Sequence, residues 1–324
     1  MGISILNATL VSFTMTNLFA LSAFHTFNSF STSKQSLAIS NSFFSHSISN
    51  IIQAHNKNIN LFISKTQISH TLSSAIFLGH ADKEDTRCSI GKMSYTSLLR
   101  SEIINGSHNW NPTDYDHHLF ILSPECGDSI IILKCLFHHC YCTDDSLRSG
   151  GGAIYANYSS HISISRTIFD RCYTNSIRGG ALMITGGANS YALDYSFHDN
   201  LTNEIEIKYC CFQNCYGLND VYGAAAFLAG ENTTLDFVSS VNCSDIYENY
   251  GAQFDIQSGM VKSINVNVTG GKSRYCGAIE YRSASFAIFR FNTLRNLYSG
   301  FVVALSKVIK SRIHHCNLIN NNKQ

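Results

Sequence analysis

The sequence is poor in proline and in charge. It has only 2 prolines, and charged residues make up 14% of it, against roughly 25% in an average soluble domain. So little proline excludes collagen-like and proline-rich repeats. Lys and Arg number 23 against 22 Asp and Glu, a formal net charge of +1. A nucleic-acid-binding protein needs a basic stripe that displaces counterions from phosphates, so this balance predicts no nucleic-acid partner.

Clear targeting and membrane signals are also missing. No run of about 18 or more uninterrupted apolar residues occurs, so no clear membrane span is predicted. The first charged residue is Lys34, so the basic n-region of a secretory signal is absent. Residues 1–24 are therefore a weak candidate signal, and ordinary β-type sequence is the preferred interpretation. The 12 cysteines form no C-x-x-C pair, which argues against a zinc ribbon or a thioredoxin-like motif, and we expect no metal and no cofactor.

What the sequence does contain is a repeat built from two short units. The first unit is an aromatic or aliphatic residue, two polar residues and a small residue, as in Phe169-Asp-Arg-Cys172. The second is a glycine followed by small and apolar residues, as in Gly180-Ala-Leu-Met. The glycine stands at the eighth position after the small residue in four copies: Cys172–Gly180, Cys215–Gly223, Cys243–Gly251 and Asn292–Gly300.

The copies recur with a regular period. The step from Cys215 to Cys243 is 28, and the step from Thr269 to Asn292 is 23. The step from Gly180 to Gly223 is longer, at 43, and predicts two turns. A period of this kind is typical of a solenoid, in which each repeat forms one turn.

The runs inside each period alternate apolar and polar residues, as in Ile162-Ser-Ile164 and Phe254-Asp-Ile256. Alternation predicts strands with one buried face. We therefore predict an all-β fold: a single-stranded right-handed parallel β-helix, or solenoid, with the hand taken from the general bias of parallel crossovers. Residues 130–324 would form the regular turns, and residues 1–129 an irregular N-terminal part with early or degenerate turns.

The repeated positions have predicted structural roles. The small residue of the first unit would stack on itself from turn to turn as a buried ladder, in which Cys acts as a small filler: Cys140, Cys172, Asn200, Cys215, Cys243, Thr269, Asn292 and Cys316. Glycine would allow a positive φ or a close approach of neighbouring backbones at the corners: Gly152, Gly180, Gly223, Gly251, Gly277 and Gly300. Disulfides between turns are the alternative for the cysteines, although parallel Cβ vectors fit them less well.

Gly151-Gly-Ala-Ile154, Gly179-Gly-Ala-Leu182 and Phe169-Asp-Arg-Cys172 carry a family resemblance. These units resemble the right-handed β-helix repeats of chlamydial polymorphic outer membrane proteins. The form with Cys in the ladder is similar to β-helix surface proteins of trichomonad protists. The resemblance covers about residues 130–324, and it implies a surface or adhesion protein.

We expect a non-enzymatic surface or secreted scaffold whose long face binds a protein or glycan partner. The first alternative is a carbohydrate-active enzyme, a pectin lyase-like lyase or hydrolase, because this fold also carries such enzymes. Glycoside hydrolysis needs paired carboxylates, and the nearest pair is Asp144-Asp145, which we interpret as a solvated loop. A further alternative is a fragment of a larger membrane-anchored surface protein, since few residues follow Ile313-His-His-Cys316.

Three other groups of residues suggest chemistry. The pairs His117-His118, His138-His139 and His314-His315 resemble metal-binding fragments, but adjacent strand residues face opposite sides, so no metal site is predicted. Among the Asn-x-Ser/Thr sequons, Asn232 in a predicted loop is the candidate glycosylation site of a secreted protein. Outward aromatic residues would form a stripe for sugars or proteins, with these candidates: Tyr155, Tyr158, Tyr281 and Tyr298.

Overall fold

The architecture comes from a computed structural model. It describes residues 3–4, 7–11, 14–18, 22–26, 35–47, 50–54, 59–71, 75–78, 129–143, 150–157, 161–185, 204–218, 222–245 and 251–322. All regular elements in these ranges are β-strands, and every pairing between them is parallel, as in Ile207 opposite Leu235. The predicted all-β parallel solenoid is confirmed. Within the same ranges, no helix has the length and apolar character needed to cross a membrane.

The strands before the longest gap are short. In chain order they are β1 (Ile3–Ser4), β2 (Asn7–Val11), β3 (Thr14–Leu18), β4 (Ser22–Thr26), β5 (Gln35–Ser40), β6 (Phe43–Ser47), β7 (Asn50–Ala54), β8 (Ile59–Ser64), β9 (Gln67–Thr71) and β10 (Ile76–Leu78). The next group is β11 (Ser129–Leu133), β12 (Leu136–Cys142), β13 (Ile154–Asn157), β14 (His161–Ser165), β15 (Ile168–Asp170), β16 (Tyr173–Thr174), β17 (Leu182–Thr185), β18 (Glu204–Lys208), β19 (Cys211–Gln213) and β20 (Tyr216–Gly217).

The C-terminal strands include longer ones that continue from one side of the solenoid to the next. They are β21 (Ala226–Asp236), β22 (Ser239–Val241), β23 (Ser244–Asp245), β24 (Phe254–Ile264), β25 (Asn267–Thr269), β26 (Lys272–Arg282), β27 (Phe286–Arg290), β28 (Thr293–Arg295), β29 (Tyr298–Ser306), β30 (Lys310–His314) and β31 (Asn317–Ile319).

Strands stack in rows, one strand per turn. Row A runs through β2, β5, β8, β11, β14, β18, the ends of β21 and β24, β27 and β30. From β11 to β30, row A advances about six turns. Ile207, Leu235 and Ser263 are paired in register on three successive turns of this row. Row B runs from β3 to β31. The strands between residues 3 and 78 pair in the same rows as the later ones.

The long step between Gly180 and Gly223 does not contain an extra turn. Strand β14 pairs directly with β18, and β17 pairs directly with β21. The prediction of two turns here is therefore wrong, because the additional residues form an insertion between successive turns. Asn200, assigned to the ladder, lies in that insertion and outside the described residues.

The alternation of the sequence explains the core. In row A the inward column is aliphatic over most of its length, as at Ile164 and Ile207, which are 0% exposed. In row B the inward column stacks phenylalanines on successive turns, with ring centroids 5.1 Å apart for Phe137 and Phe169 and 4.8 Å for Phe169 and Phe212. Offset contacts between buried rings add to the free energy gained from burying their area.

Each turn bends at two similar corners, which we call the first corner (between rows A and B) and the second corner (after row B). At each corner, one residue has a positive φ. This φ lies between 48° and 57° in every case except Gly270, where it is 67°. At the first corner these residues are Asn41, Lys65, Lys134, Arg166, Tyr209, Phe237, Asn265, Phe291 and His315. At the second they are His46, His70, His139, Arg171, Asn214, Asn242, Gly270, Asn296 and Asn320. The residue that follows each points into the core, and its position is called the corner slot below.

The predicted corner glycines occupy a third bend of the turn. It precedes the fourth side, which includes β10, β13, β17 and parts of β21, β24, β26 and β29. Gly223 has φ +75°, a conformation that residues with a Cβ rarely adopt. At Gly180, a Cβ would collide with the carbonyl oxygen of Ala224 on the next turn. Gly251 also has a positive φ, and Gly152, Gly277 and Gly300 approach neighbouring atoms closely. Both roles expected of glycine therefore occur at this bend.

Candidate functional site: a groove beside the second corner

The cysteine slots of the second corner form a continuous column. Cys140, Cys172, Cys215 and Cys243 occupy it on consecutive turns, and Cys140 lies opposite Thr71. The thiols of Cys140, Cys172 and Cys215 face backbone carbonyls of the preceding turn: Cys172 Sγ lies 3.6 Å from Phe137 O, and Cys215 Sγ lies 3.5 Å from Phe169 O. Cys243 Sγ instead accepts a hydrogen bond from Cys215 N at 3.3 Å. A small side chain with a weak donor fits this position; Thr71 fits it by size, although its hydroxyl makes no hydrogen bond to the described residues.

The residues predicted to form one ladder lie in two separate columns, one at each corner. Asn292 and Cys316 lie in the first-corner slot, in one column with Thr167 and Cys210, five residues before the second-corner slot of the same turn. Asn292 Nδ2 donates to Ser263 O at 3.0 Å, and Asn292 Oδ1 accepts from Val266 N at 2.6 Å.

Thr269 lies in neither slot. It is half-buried at the end of β25, where it pairs with Val241 and Arg295. Gly271 occupies the second-corner slot of this turn. The predicted ladder combined residues of both corners, because at each corner a residue with positive φ precedes a small side chain that points into the core.

The buried cysteines of the two corner ladders are poorly suited to redox or nucleophilic chemistry. All ten described cysteines are free thiols, and eight are buried. Burial raises the pKa of Cys172, Cys215 and Cys243 well above the ordinary value, and that of Cys210 to about 12. The thiolate is the reactive form, so these thiols are inert fillers. Cys88 and Cys126 lie outside the described residues.

Histidines line the second corner on three consecutive turns. The rings of His46 and His70 stack with centroids 4.7 Å apart, and those of His70 and His139 are 5.4 Å apart. Burial, followed by charge repulsion from the other histidines, lowers the pKa of His70 to about 4. Burial likewise lowers that of His139 to about 4. Among the described residues no three His, Cys, Asp or Glu side chains are placed to hold a metal ion.

His138 has a different role from its neighbour. Its Nδ1 lies 2.7 Å from Asp170 Oδ2 on the next turn, on the outward-facing side of row B. His314 and His315 contact each other at the last turn, where both rings are near solvent. His117-His118 falls outside the described residues, as does Asp144-Asp145.

A buried ionic cluster that the sequence interpretation missed lies on the fourth side of the solenoid. Asp255 and Glu280 are opposite each other on β24 and β26 and are 0% and 3% exposed. Arg282 Nη2 lies 3.0 Å from Asp255 Oδ2 and 2.8 Å from Glu280 Oε2, and its guanidinium stacks on Tyr222 at 4.3 Å. Each acid occupies the polar position of an alternating run, and the two are one repeat period apart in the sequence. That spacing is the sequence feature that could have predicted their contact.

Burial, and to a smaller extent the charge of Glu280, raise the pKa of Asp255 to about 7 despite the lowering effects of Arg282 and Arg178. The contact to Arg282 is a close ion pair without the angles of a hydrogen bond. A buried ion pair is stable only when its charges compensate each other. The cluster therefore ties two turns together beneath Tyr222, with little of either carboxylate open to solvent.

An open groove lies beside the second corner. Its volume is about 400 Å³, and its lining is polar and aromatic: His139, Arg171, Tyr173, Asn214, Tyr216, Asn242 and Ser244. Tyr173 and Tyr216 lie along one side of it and continue a stack that begins at the buried Tyr141. Ring centroids are 4.3 Å apart for Tyr141 and Tyr173, and 4.8 Å for Tyr173 and Tyr216.

The tyrosine stack ends at Ser244, which occupies the register position after Tyr216. A ring at that position would continue the stack, and the small serine side chain leaves space for one. Asn214 and Asn242, both exposed, stand on the corner beside this space. A flat ring with hydroxyl groups on its rim could therefore pack on Tyr216 and bond to the amides.

The other predicted surface residues are distributed differently. Tyr155 and Tyr281 are 1% and 0% exposed, and the Tyr281 hydroxyl donates to Ser263 Oγ at 2.7 Å, so their proposed place in an outward stripe is wrong. Tyr298 is 46% exposed, and Tyr158 lies outside the described residues. Asn232 is exposed, but it lies within the continuous strand β21 instead of a loop.

Comparisons with protein-family models, with curated proteins and with solved structures found no match to this chain. A parallel β-solenoid supports binding proteins and enzymes alike, so the fold by itself names no function. Function is therefore inferred from the chemistry of the described groove and cluster.

Proposed function

We propose that the protein is a non-enzymatic, surface-located or secreted scaffold that binds a saccharide in the groove beside the second corner. The observation that carries this proposal is the tyrosine stack that ends at Ser244 and leaves a ring-sized space on Tyr216. A pyranose ring has an apolar face for the tyrosine and hydroxyl groups for Asn214 and Asn242. The repeat resemblance to polymorphic outer membrane proteins and trichomonad surface proteins supports the surface location by analogy.

The size and chemistry of the groove suit a mono- or disaccharide unit of a larger glycan. Its volume of about 400 Å³ falls in the usual range of about 300–1,000 Å³ for small-molecule sites. Arg171 and His139 add donors at one end, with Arg171 Nη1 lying 3.2 Å from His139 Nε2. Arg171 is exposed, so it can turn toward a hydroxyl or carboxylate group of a ligand.

The carbohydrate-active enzyme alternative is less well supported. Hydrolysis needs two carboxyl groups that flank a bound glycosidic bond. Among the described residues, Asp255 and Glu280 are a carboxyl pair on neighbouring turns, and both contact Arg282 in a position that solvent barely reaches. Their arrangement favours a structural role and leaves the binding function as the proposal.

The Ser244→Tyr variant tests the binding proposal. A tyrosine at this position would extend the stack into the groove and fill the proposed sugar-binding space on Tyr216, without a change in the core. We expect the wild-type protein to select one class of glycan on an array, and Ser244→Tyr to lose that binding while its melting temperature is kept or raised.

The matched control is Asn267→Tyr, which adds the same side chain at an exposed position of β25. It should bind the selected glycan like the wild type. Absence of any glycan hit at high protein concentration would overturn the proposal. Equal binding by wild type and Ser244→Tyr would also overturn it, because the ligand would then lie elsewhere.

A further inference from the structure

A single file of cations follows the first corner over three consecutive turns. Lys65, Lys134 and Arg166 are the positive-φ residues of these turns, and all three are exposed. Their strands pair in direct succession, with Lys65 N donating to Leu133 O and Lys134 N to Ser165 O. Neighbouring strands lie roughly 4.8 Å apart, so the backbones of this cation file repeat at that spacing along the solenoid axis.

The cation file has no acidic counterpart within the part of the chain that the structure describes. None of its three members forms an ion pair there, whereas the nearby Lys208 is paired with Glu206 and Asp170 with His138. The residues that precede the file members in their strands are neutral, such as Ser64 and Ser165. Three unpaired like charges in a row repel one another, in a chain whose formal net charge is only +1.

We propose that the cation file is a binding site for a linear anionic polysaccharide, with one carboxylate or sulfate group bound on each turn. A corner residue with positive φ projects from the convex edge between two sheets, so the file presents a narrow line instead of a plane. A linear polyanion matches a line of regularly spaced charges. Lys supplies a point charge for each anionic group, and Arg166 adds a bidentate donor.

An anionic bilayer is the competing partner, and it fits the geometry less well. A planar surface would need apolar side chains that enter it beside the cations. The flanking Phe62, Ile131 and Ile168 are partly exposed, at 39%, 37% and 43%, so lipid vesicles are included in the test below. The file lies at the other corner from the groove, and the inference is independent of the saccharide proposed there.

The solenoid itself supplies a mild substitution for the test. Asn41 and Asn265 occupy the same corner column, with φ 48° and 55°, so asparagine is compatible with the backbone. The test variant is Lys65→Asn, Lys134→Asn and Arg166→Asn combined. The control combines Lys262→Asn, Lys272→Asn and Arg274→Asn, three exposed cations outside the file, and makes the same change in net charge.

Binding of the full-length protein to heparin, to polygalacturonate and to neutral dextran would be measured by calorimetry over a series of salt concentrations. We expect binding to at least one polyanion and none to dextran. The file variant should lose roughly tenfold or more in affinity, as three exposed charge contacts allow, and its affinity should depend less on salt. The control variant and Ser244→Tyr should bind like the wild type.

Two results would overturn the proposal. Equal losses in the file and control variants would show a general effect of net charge. Binding to phosphatidylserine vesicles that the file variant alone loses, with no polyanion binding by the wild type, would assign the file to a lipid surface. Failure of the groove proposal would appear separately, as unchanged glycan binding by Ser244→Tyr.

Discussion

Asp255 and Glu280 face each other on neighbouring turns, and both are buried in contact with the guanidinium of Arg282. Arg282 contacts both carboxyl groups in a region that water hardly reaches, and the charge of the buried Arg178 adds to its effect on Asp255. The unfavourable effect of burying a second negative charge appears at Asp255: burial is the main cause that raises its pKa to about 7. Stability at this point of the solenoid should therefore depend on Arg282 and on pH.

Replacing Arg282 by methionine should strongly destabilise the protein. The variant would leave two buried carboxyl groups without their cation, and breaking a buried pair typically costs about 3–5 kcal/mol. Urea unfolding at neutral pH would measure the free energy of unfolding. Arg274→Met, at an exposed position, should change it by less than about 0.5 kcal/mol. Adding Asp255→Asn to Arg282→Met should recover part of the loss, and no recovery would contradict this account.

Asp255→Asn should become relatively more favourable as pH rises. The ordinary pKa of this group is 3.8 and the folded value is about 7, so between these values the folded state holds a proton that the unfolded state releases. The stability that this proton contributes is present below about pH 4 and is lost as pH rises through 7. The difference in melting temperature between variant and wild type should therefore grow in favour of the variant from pH 4 to 7. A constant difference would argue against the raised pKa.

His70→Asn should protect the protein from acid. The pKa of His70 falls from 6.5 to about 4 on folding, so below pH 6.5 the unfolded state binds a proton that the folded state resists. Stability is fully present above about pH 6.5 and declines as pH falls toward 4. Asparagine occupies the same corner column at Asn214 and Asn242 and does not titrate. Unfolding midpoints at pH 7.5 and 5 should fall less for His70→Asn than for the wild type, and parallel declines would refute the role of the histidine stack.

Cys172 should tolerate threonine but not leucine. Threonine already occupies this slot at Thr71, which is 1% exposed, so a side chain of this size fits between the adjacent turns. Cys172→Thr should stay within about 1 kcal/mol of the wild type. Cys172→Leu should lose about 1–3 kcal/mol, since the slot is closed by the adjacent turns. Chemical unfolding under reducing conditions compares the two, and equal stabilities would mean that the slot is not tightly packed.

Gly180→Ala should be more harmful than Gly259→Ala. A Cβ at Gly180 would collide with the Ala224 carbonyl oxygen, whereas at Gly259 the nearest atom is Glu231 O at 3.0 Å, and the turns can separate slightly. Overpacking of this kind typically costs about 1–3 kcal/mol. Thermal unfolding of both variants checks the order, and a larger loss at Gly259 would contradict it.

Much of the fold was predictable from local patterns. The alternation in Ile162-Ser-Ile164 indicated an inward and an outward face, and the regular recurrence of Cys215 and Cys243 indicated stacked turns. The two corners of each turn were not separable in this way. Cys210 and Cys215 are five residues apart and follow equivalent positive-φ residues, so the same unit marks both corners. Only strand register shows which corner a copy belongs to.

The candidate sites depend on relationships between turns. Tyr216 forms a groove because Ser244 follows it in register, and Lys65 and Lys134 are neighbours although a long stretch of chain separates them. Such pairs are invisible to local periodicity because the steps between turns vary in length. The step from Ile164 to Ile207 is much longer than the step from Phe289 to Ile313, although each is one turn.

The sequence alone determined that the chain is a parallel solenoid with small residues inside its corners. Hydrophobic alternation and turn residues act over a few residues, and each turn repeats them. Tertiary structure decided the rest: the division into two corner ladders, the direct pairing of β14 with β18, and the burial of Asp255 beside Glu280. Hydrogen bonding between strands sets the register, and the register determines which side chains meet across turns.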